Sequence, residues 1–299
     1  MSTRFRSHAA IFAANLIYGA NFSIAKIAMP HYIRPAGFIL LRVGFALLLF
    51  RIVEWATRTG SPVERKDHWR FFLLGLFGVA INQSLFFEGL SRTSNINAAL
   101  IMTTTPILVM IAASLIIGER ITTRRVVGVA SGITGAAGLI LLGVKASGHA
   151  SWLGDTMVFT NAVSYAIYMV MAKPMMRKYH PWAVIRWTFF YGFLLVIPLG
   201  LKDVASIQWS TFTTPVWLST VYVILFTTFF AYLLNTYGLQ HLSPSVVSFY
   251  IYFQPLFATG ISLLIAQETV SWIQAGACVL IFLGVYLVAG PVRRKPEVA

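Results

Sequence analysis

Charged residues are scarce in this sequence, and acidic residues are the rarest of them. Only 11% of the 299 residues are charged, with 9 acidic residues against 23 basic ones. A soluble globular domain carries about 25% charged residues, so the chain lacks the polar surface that a soluble enzyme of this length needs. Its single cysteine, Cys278, excludes a disulfide framework and a metal site built from cysteines.

What the sequence has instead is apolar length. Hydrophobic residues make up 58% of the chain, and a helix needs about 20 apolar residues to cross a bilayer. The runs are continuous, whereas strands of a membrane barrel alternate. The sequence therefore predicts an all-α integral membrane protein with ten transmembrane helices, at 8–28, 34–56, 69–90, 94–117, 122–143, 152–175, 181–200, 213–238, 243–266 and 270–290.

The basic residues are sorted to one side of these ten spans. With the N-terminus placed in the cytoplasm, 16 of the 23 lie in cytoplasmic segments and only 5 in outer ones. Positive charge concentrates in cytoplasmic loops of membrane proteins, so both termini are predicted to be cytoplasmic. This sorting explains the net charge of +14 without nucleic acid as a partner.

The two halves of the chain share a weak repeat. A shift of 149 residues places Pro106 on Pro255 and Glu119 on Glu268, each pair within a similar pattern of a proline, a glutamate and a glycine-rich span. We therefore predict two repeats, residues 1–147 and 148–299, with five helices each. An odd number of spans inverts the second repeat, and inverted repeats are typical of transporters with a central site near the midplane.

Several segments resemble the EamA-type members of the drug/metabolite transporter superfamily. The resemblance rests on residues 16–22, Leu41-Arg42, and the stretch from Gly89 to Ile121 with its weaker counterpart, residues 237–239, 254–257 and 267–268. It implies ten helices in two inverted five-helix repeats around a central cavity. It also implies secondary transport, often export of amino acids, metabolites or drugs, in the inner membrane of a bacterium.

Polar and aromatic residues deep within the apolar spans are the candidate substrate-binding residues. Amides buried in a membrane either join helices or face a polar cavity, and both roles stay open for each one. Gln83 and Gln254 lie nearest the middle of their spans, and one of Tyr250 and Tyr252 is expected to face the cavity. The predicted substrate-binding set is Tyr18, Asn21, Asn82, Gln83, Phe86, Tyr165, Tyr168, Trp187, Tyr191, Tyr250 and Gln254.

Four further residues are candidates for gating. Arg42 lies within its span, where an arginine is costly unless it faces protein, water or a partner, and Glu88 lies close enough in depth to pair with it. A structural role for Arg42 is the alternative. Pro106 and Pro255 are expected to kink their helices at matching depths, either as bending points or as static bends.

The sequence offers no catalytic residue, metal site or cofactor motif. A phosphate-binding loop is incomplete because the lysine near Gly138 and Gly143 is displaced, and no zinc-binding helix or serine elbow is present. The acidic residues avoid the membrane centre, whereas proton-coupled carriers usually keep an ionisable group deep in the path. Facilitated diffusion, or weak coupling through Glu88, is therefore predicted in place of tight proton antiport.

Together these features predict a secondary transporter that exports small metabolites by alternating access. Neutral or aromatic amino acids are the leading substrates, because the candidate site combines amides and aromatic rings without a central acidic residue. The alternatives are a carrier of drugs or other metabolites working in uptake or exchange and, more remotely, a membrane-embedded enzyme. The expected partners are a small-molecule substrate and the lipid bilayer, with the protein a monomer or a weak homodimer.

Overall fold

A computed structural model describes residues 2–57, 62–93, 98, 101–143, 151–257 and 272–289. Within these ranges the regular structure is helical and contains no strand. The helices are α1 Thr3–Ala28, α2 Pro35–Thr57, α3 His68–Gly75, α4 Asn82–Arg92, α5 Thr105–Ile117, α6 Thr123–Gly143, α7 Trp152–Lys178, α8 Pro181–Ala205, α9 Thr214–Tyr222, α10 Ala231–His241, α11 Pro244–Phe249 and α12 Trp272–Ala289.

Two of these helices continue into the next through a wider, π-helical segment. Leu76–Ile81 joins α3 to α4, and Val223–Phe230 joins α9 to α10. Short 3₁₀ turns precede α3 at Arg65–Asp67, precede α9 at Trp209–Thr211 and follow α11 at Tyr250–Tyr252. The chain thus crosses the bundle twice on helices whose middle turn is π-helical.

Five helical stretches are long and apolar enough to cross a membrane. They are Thr3–Ala28, Pro35–Ala56, Arg65–Arg92, Pro181–Ala205 and Thr214–His241, and Thr105–Ile117 and Val279–Val288 are shorter apolar helices. This architecture agrees with the predicted all-α membrane protein. The layout of ten spans in two repeats stays a prediction, and residues 94–97, 99–100 and 258–266 of the predicted spans 94–117 and 243–266 lie outside the described residues.

Local sequence signals set where the helices begin and end. The side chain of Ser2 accepts a hydrogen bond from the Phe5 amide at the start of α1, and Ser151 accepts one from Gly154 at the start of α7. Such caps satisfy amides that have no partner within the helix. Helix α5 ends at Gly118, whose φ of 67° is the left-handed conformation that glycine adopts at little cost.

The helices pack in pairs, mostly through apolar side chains. Helix α2 packs on α8, α4 on α7, α1 on α10, and α6 on α12. At the α6–α12 contact, a Cβ added to Gly128 would lie 3.0 Å from the Gly284 carbonyl oxygen. The absence of a side chain at Gly128 therefore lets these two helices approach closely.

Ion pairs mark the two ends of the bundle. At the end where the chain starts, which we call the basic end, Lys178 bridges Glu64 and Asp67. Hydrogen bonds from Lys178 and Lys66 hold the pKa of Glu64 below its usual value. At the opposite end, Arg34 lies 3.6 Å from Asp203. These pairs tie connecting segments to neighbouring helices.

Candidate functional site

A polar cavity lies in the middle of the bundle. Its volume is about 100 Å³, and about 10–15 Å³ is enough to hold one water molecule. It therefore has room for several waters or for a small solute. Its lining consists of Asn15, Tyr18, Asn21, Arg42, Asn82, Gln83, Phe86, Phe87, Met102, Asn161, Tyr165, Thr227, Tyr232, Asn235, Val247, Ile251 and Gln254.

Amide side chains join α1 to the second half of the chain at this cavity. Gln254 Nε2 donates to Asn15 Oδ1 at 2.8 Å, and Asn15 Nδ2 donates to the Ile11 carbonyl within α1. Asn235 on α10 donates to the Tyr18 hydroxyl at 3.2 Å. Both pairs hold polar atoms in an apolar bundle by giving each a partner, as buried polar groups require.

A second set of amides joins α4 to α7 and α10. Gln83 Nε2 donates to the Tyr232 hydroxyl at 2.9 Å, and that hydroxyl donates to the Gly78 carbonyl at 3.2 Å. Asn161 Nδ2 donates to the Asn82 carbonyl at 2.7 Å, and Asn82 Nδ2 to the Asn161 carbonyl at 3.4 Å. These bonds use the amide hydrogens and leave Gln83 Oε1 and Asn161 Oδ1 buried without a partner among the described residues.

Arg42 is the one cation among the residues that line the cavity, and none of the described lining residues is acidic. Its side chain is 3% exposed. The Nε atom donates to Thr228 Oγ1 at 2.8 Å, and the guanidinium lies 4.8 Å from the centre of the Phe87 ring. Arg42 is therefore held from one side by a hydroxyl and from another by an aromatic face.

The two π-helical segments border the cavity and offer backbone carbonyls to side chains. Ser164 donates to the Phe77 carbonyl at 2.7 Å, and Tyr232 donates to that of Gly78. In the other segment, Thr228 donates to the Val223 carbonyl at 2.8 Å. π-Helical turns often occur at functional sites, and here both lie where the polar side chains converge.

The cavity brings together seven of the eleven residues predicted to bind substrate. Asn21 accepts a hydrogen bond from Thr227 at 3.1 Å. Phe86 lies beside Phe87, with 5.4 Å between ring centres. The seven are Tyr18, Asn21, Asn82, Gln83, Phe86, Tyr165 and Gln254.

The other four predicted residues lie outside this cavity. Tyr168 packs against Gly78, where a Cβ would overlap its ring, and lines a smaller pocket with Tyr165. Trp187 and Tyr191 form a cluster with His68, whose Nδ1 lies 2.8 Å from the Tyr191 hydroxyl.

Neither Tyr250 nor Tyr252, one of which was expected to face the cavity, is among the described residues that line it. The Tyr250 hydroxyl lies 2.8 Å from His8 Nδ1 near the basic end, and the Tyr252 ring lies against Gly132 on α6. The residue between them, Ile251, lines the cavity instead, because a 3₁₀ turn spans these three positions and directs them to different sides.

The predicted pairing of Arg42 with Glu88 does not occur. Glu88 accepts from Arg92, one turn along α4, at 3.2 Å, because a surface pair four residues apart needs no helix-to-helix contact. A second arginine within a helix of the bundle, the partly buried Arg186, pairs with Glu54 at 3.0 Å. Of these two arginines, Arg42 is the one without a carboxylate partner among the described residues.

The two candidate hinge prolines do not interrupt continuous helices. Pro106 lies in the first turn of α5, after the turn at 103–104, where a proline removes no helical hydrogen bond. Pro255 lies in the helical residues 253–257 that follow the 3₁₀ turn. Both prolines therefore lie next to breaks in helical geometry, and their part in gating stays a prediction.

Sequence reasoning missed several lining residues. Thr227 lies in an apolar run with no polar spacing to mark it, and Val247, Ile251 and Met102 look like ordinary lipid-facing residues. The predicted set also leaves out Asn15, Asn161, Tyr232 and Asn235, although each carries the same signal as the predicted amides, a polar group inside an apolar span.

The basic end is closed by side chains that reach backbone carbonyls. Lys173 is 7% exposed and its Nζ donates to the carbonyls of Leu239, Gln240 and Leu242 at 2.6, 3.0 and 2.7 Å. Beside it, Glu119 pairs with Arg125 at 2.6 Å and accepts from Ser245 at 3.1 Å. These contacts join α7, α10 and α11 below the cavity.

Comparison with known proteins identifies the family. The sequence profile of the EamA-like transporter family matches residues 6–141 and 152–290. The uncharacterized transporter YyaM of Bacillus subtilis is 26% identical over 284 residues, covering 93% of this chain and 92% of that protein. An uncharacterized transporter of Archaeoglobus fulgidus is 25% identical, covering 91% and 94%.

Two further comparisons bear on function and on fold. A protein of Streptantibioticus cattleyicolor named as a probable terminal-alkyne amino-acid exporter is 25% identical over 61% of this chain and 60% of its own length. A solved crystal structure has a TM-score of 0.75 at 18% identity, covering 98% of this chain and 100% of that chain. From the two family matches, which together span most of its length, the chain belongs to the EamA-like transporter family of the drug/metabolite transporter superfamily and is a multi-pass membrane transporter, not an enzyme.

Proposed function

We propose that the protein is a secondary transporter that exports small neutral or zwitterionic metabolites, with aromatic and other hydrophobic amino acids as the leading substrates. The observation that carries the proposal is the cavity itself. It combines seven side-chain amides with the rings of Tyr18, Phe86, Phe87, Tyr165 and Tyr232 in the middle of an apolar bundle. Small-molecule sites have this combination of apolar walls and a few convergent polar groups.

Alternating access through two inverted repeats is part of the proposal. The two family matches fall on the two predicted repeats, 1–147 and 148–299. The π-helical segments lie at nearly equivalent positions, since a shift of 149 residues carries 76–81 onto 225–230, within Val223–Phe230. The contacts of Lys173 with the carbonyls of Leu239, Gln240 and Leu242 close the basic end, and we propose that this end lies in the cytoplasm and opens there during transport.

The amino-acid substrate class has support from one relative. The protein from Streptantibioticus cattleyicolor is named as an amino-acid exporter, and we extend that class of solute to this chain. Facilitated diffusion is the proposed energetics, because no acidic residue is among the described lining residues of the cavity. The proposed location is the inner membrane of a bacterium, with both termini in the cytoplasm.

Counterflow into proteoliposomes tests this function. Vesicles containing the purified protein are loaded with unlabelled phenylalanine, leucine or alanine, and uptake of the same labelled amino acid is followed. We expect a transient, saturable overshoot for at least one of the three and none in protein-free vesicles. No overshoot with any of them would contradict the amino-acid proposal.

Substitutions then test the site. Gln83→Ala and Gln254→Ala each remove an amide of the cavity lining, and we expect each to lower counterflow about tenfold or more, as loss of hydrogen bonds to a charged solute does. Gln208→Ala is the matched control, since Gln208 is exposed in the connection between α8 and α9. Equal counterflow in all three variants would mean that the solute binds elsewhere.

A further inference from the structure

The charge of Arg42 is not neutralised within the described part of the protein. Its one hydrogen bond there runs from Nε to Thr228 Oγ1, and no described residue accepts from either Nη atom. A guanidinium stays protonated in proteins, and a charged arginine within a membrane is costly unless it faces a partner or a water-filled cavity. Arg42 faces such a cavity, with its outer nitrogens unused.

Arg186 shows that this fold can neutralise an arginine within a helix. It is partly buried near the start of α8, as Arg42 lies near the start of α2, and it pairs with the buried Glu54 at 3.0 Å. Arg42 has an aromatic ring and a hydroxyl where Arg186 has a carboxylate. The difference leaves a cation in the cavity and a structural ion pair outside it.

Two residues that line the same cavity, Gln83 and Asn161, also have a buried amide oxygen with no partner among the described residues. Asn161 Nδ2 donates to a backbone carbonyl, so its amide cannot be turned around without losing that bond, and Oδ1 stays without a partner. Tyr232 donates to the Gly78 carbonyl and therefore accepts from Gln83 Nε2, which leaves Gln83 Oε1 without a partner. Buried, unpaired amide oxygens favour a ligand that brings N–H donors.

From these groups we infer that Arg42 binds the carboxylate of the transported solute and that Gln83 and Asn161 accept hydrogen bonds from its ammonium group. The inference rests on the function proposed above and narrows its substrate class to solutes with a free carboxylate and a free amine on one small molecule. A guanidinium binds a carboxylate with two parallel hydrogen bonds, and the free Nη atoms of Arg42 supply them. Thr228 is a positioning residue, because it holds the guanidinium through Nε.

Competition in the counterflow assay tests the two halves of this inference. Labelled phenylalanine is the carried solute, and the unlabelled competitors are phenylalanine, phenylalaninamide, which lacks the carboxylate, and 3-phenylpropionate, which lacks the amine. If leucine is the solute carried, the matching leucine compounds replace them. We expect each analogue to compete about 10–100-fold more weakly than the amino acid, the range for a lost hydrogen bond to a charged group.

Variants then assign the carboxylate subsite. Arg42→Lys keeps the charge but loses the paired donors, and Thr228→Val keeps the guanidinium but removes its anchor. We expect the preference for phenylalanine over phenylalaninamide to fall about tenfold in Arg42→Lys and less in Thr228→Val. Arg186→Lys is the matched control and keeps the wild-type preference. Size-exclusion profiles establish folding, and Thr228→Val carries the test if Arg42→Lys does not fold.

The possible outcomes distinguish failure of the inferred binding roles from failure of the proposed transport function. Equal competition by phenylalaninamide, or an unchanged preference in both variants, would overturn the role of Arg42 while counterflow stands. Equal competition by 3-phenylpropionate would overturn the roles of Gln83 and Asn161. Absence of counterflow for every amino acid tested would overturn the proposed function and the inference together.

Discussion

Single polar side chains in the middle of this bundle both join helices and line the cavity. Asn82 and Asn161 exchange hydrogen bonds with each other's backbone and so tie α4 to α7. Gln83 and Tyr232, which are 149 residues apart, tie α4 to α10. Hydrogen bonds between membrane helices contribute about 0.6–2 kcal/mol each, so these side chains can hold the site without locking it.

The bond between Gln83 and Tyr232 predicts a measurable coupling. In a double-mutant cycle of Gln83→Leu and Tyr232→Phe, we expect a coupling energy of about 0.6–1.7 kcal/mol, the range for such bonds in membranes. The measurement is the free energy of unfolding in mixed micelles. Tyr222→Phe is the control, because it removes a hydrogen bond to the Ile17 carbonyl and should add independently to Gln83→Leu. Additive effects for the first pair would argue against the bond.

Residue type predicted the amides of the site better than its other residues. An amide inside an apolar span has few alternatives to a cavity or a neighbouring helix, so Gln83 and Gln254 could be found from the sequence. A threonine hydroxyl can donate a hydrogen bond to a carbonyl of its own helix, as Thr228 does to Val223. A threonine in an apolar span therefore does not indicate a cavity. Tyr250 and Trp187 lie outside the cavity, because an aromatic side chain in an apolar span can pack against other rings instead, as Trp187 does against His68 and Tyr191.

At the scale of elements, the two π-helical segments shape the site. Each adds a residue to a turn, which turns carbonyls such as those of Phe77, Gly78 and Val223 toward side-chain donors. Segment Leu76–Ile81 consists of small and apolar residues with no breaker except Gly78. Apolar length therefore predicted the helix, but nothing in the pattern predicted its wider turn.

Gly78 predicts how tightly this segment is packed. A Cβ there would overlap the ring of the buried Tyr168, so we expect Gly78→Ala to destabilise the protein by about 1–3 kcal/mol, as overpacking does. Thermal unfolding of the purified protein measures this loss. Gly276→Ala on α12 is the matched control. A Cβ added there meets nothing within 4 Å, and alanine is more favourable than glycine inside a helix, so we expect no loss of stability. Equal stability of both variants would show that the segment accommodates a side chain.

The prolines show where element prediction fails. A proline in the middle of an apolar run was expected to kink a continuous helix, yet Pro106 lies in the first turn of α5. The run before it is interrupted by the turn at 103–104, and hydropathy does not register a turn made of threonines. The length of the apolar run therefore predicted a membrane segment but did not predict whether its helix is continuous.

At the scale of the whole molecule, the sorting of 16 basic residues to one side of the membrane stays a prediction. At the basic end, Lys178 joins Glu64 and Asp67 in one cluster. The distribution of basic residues acts on whole segments during membrane insertion, so the orientation can be predicted from the sequence without knowledge of helix packing. The cavity depends on contacts between distant segments, so its lining cannot be predicted in the same way.

Reporter fusions test the proposed orientation. We expect green fluorescent protein fused to the C-terminus to fluoresce, because it folds in the cytoplasm, and alkaline phosphatase at the same place to be inactive. The paired control places alkaline phosphatase after Gln208, in the connection between α8 and α9, where activity is expected. The reverse pattern would place both termini outside and contradict the proposed orientation.

The unneutralised guanidinium of Arg42 also has an electrical consequence. A zwitterion moves no net charge, so its exchange is electroneutral, yet the carrier itself keeps one positive charge inside the bilayer with or without solute. An elementary charge that crosses the full membrane potential changes the free energy by about 2.3 kcal/mol per 100 mV. Voltage would then bias which side the binding site faces, and an energised cell would set the resting orientation of a carrier that transports nothing charged.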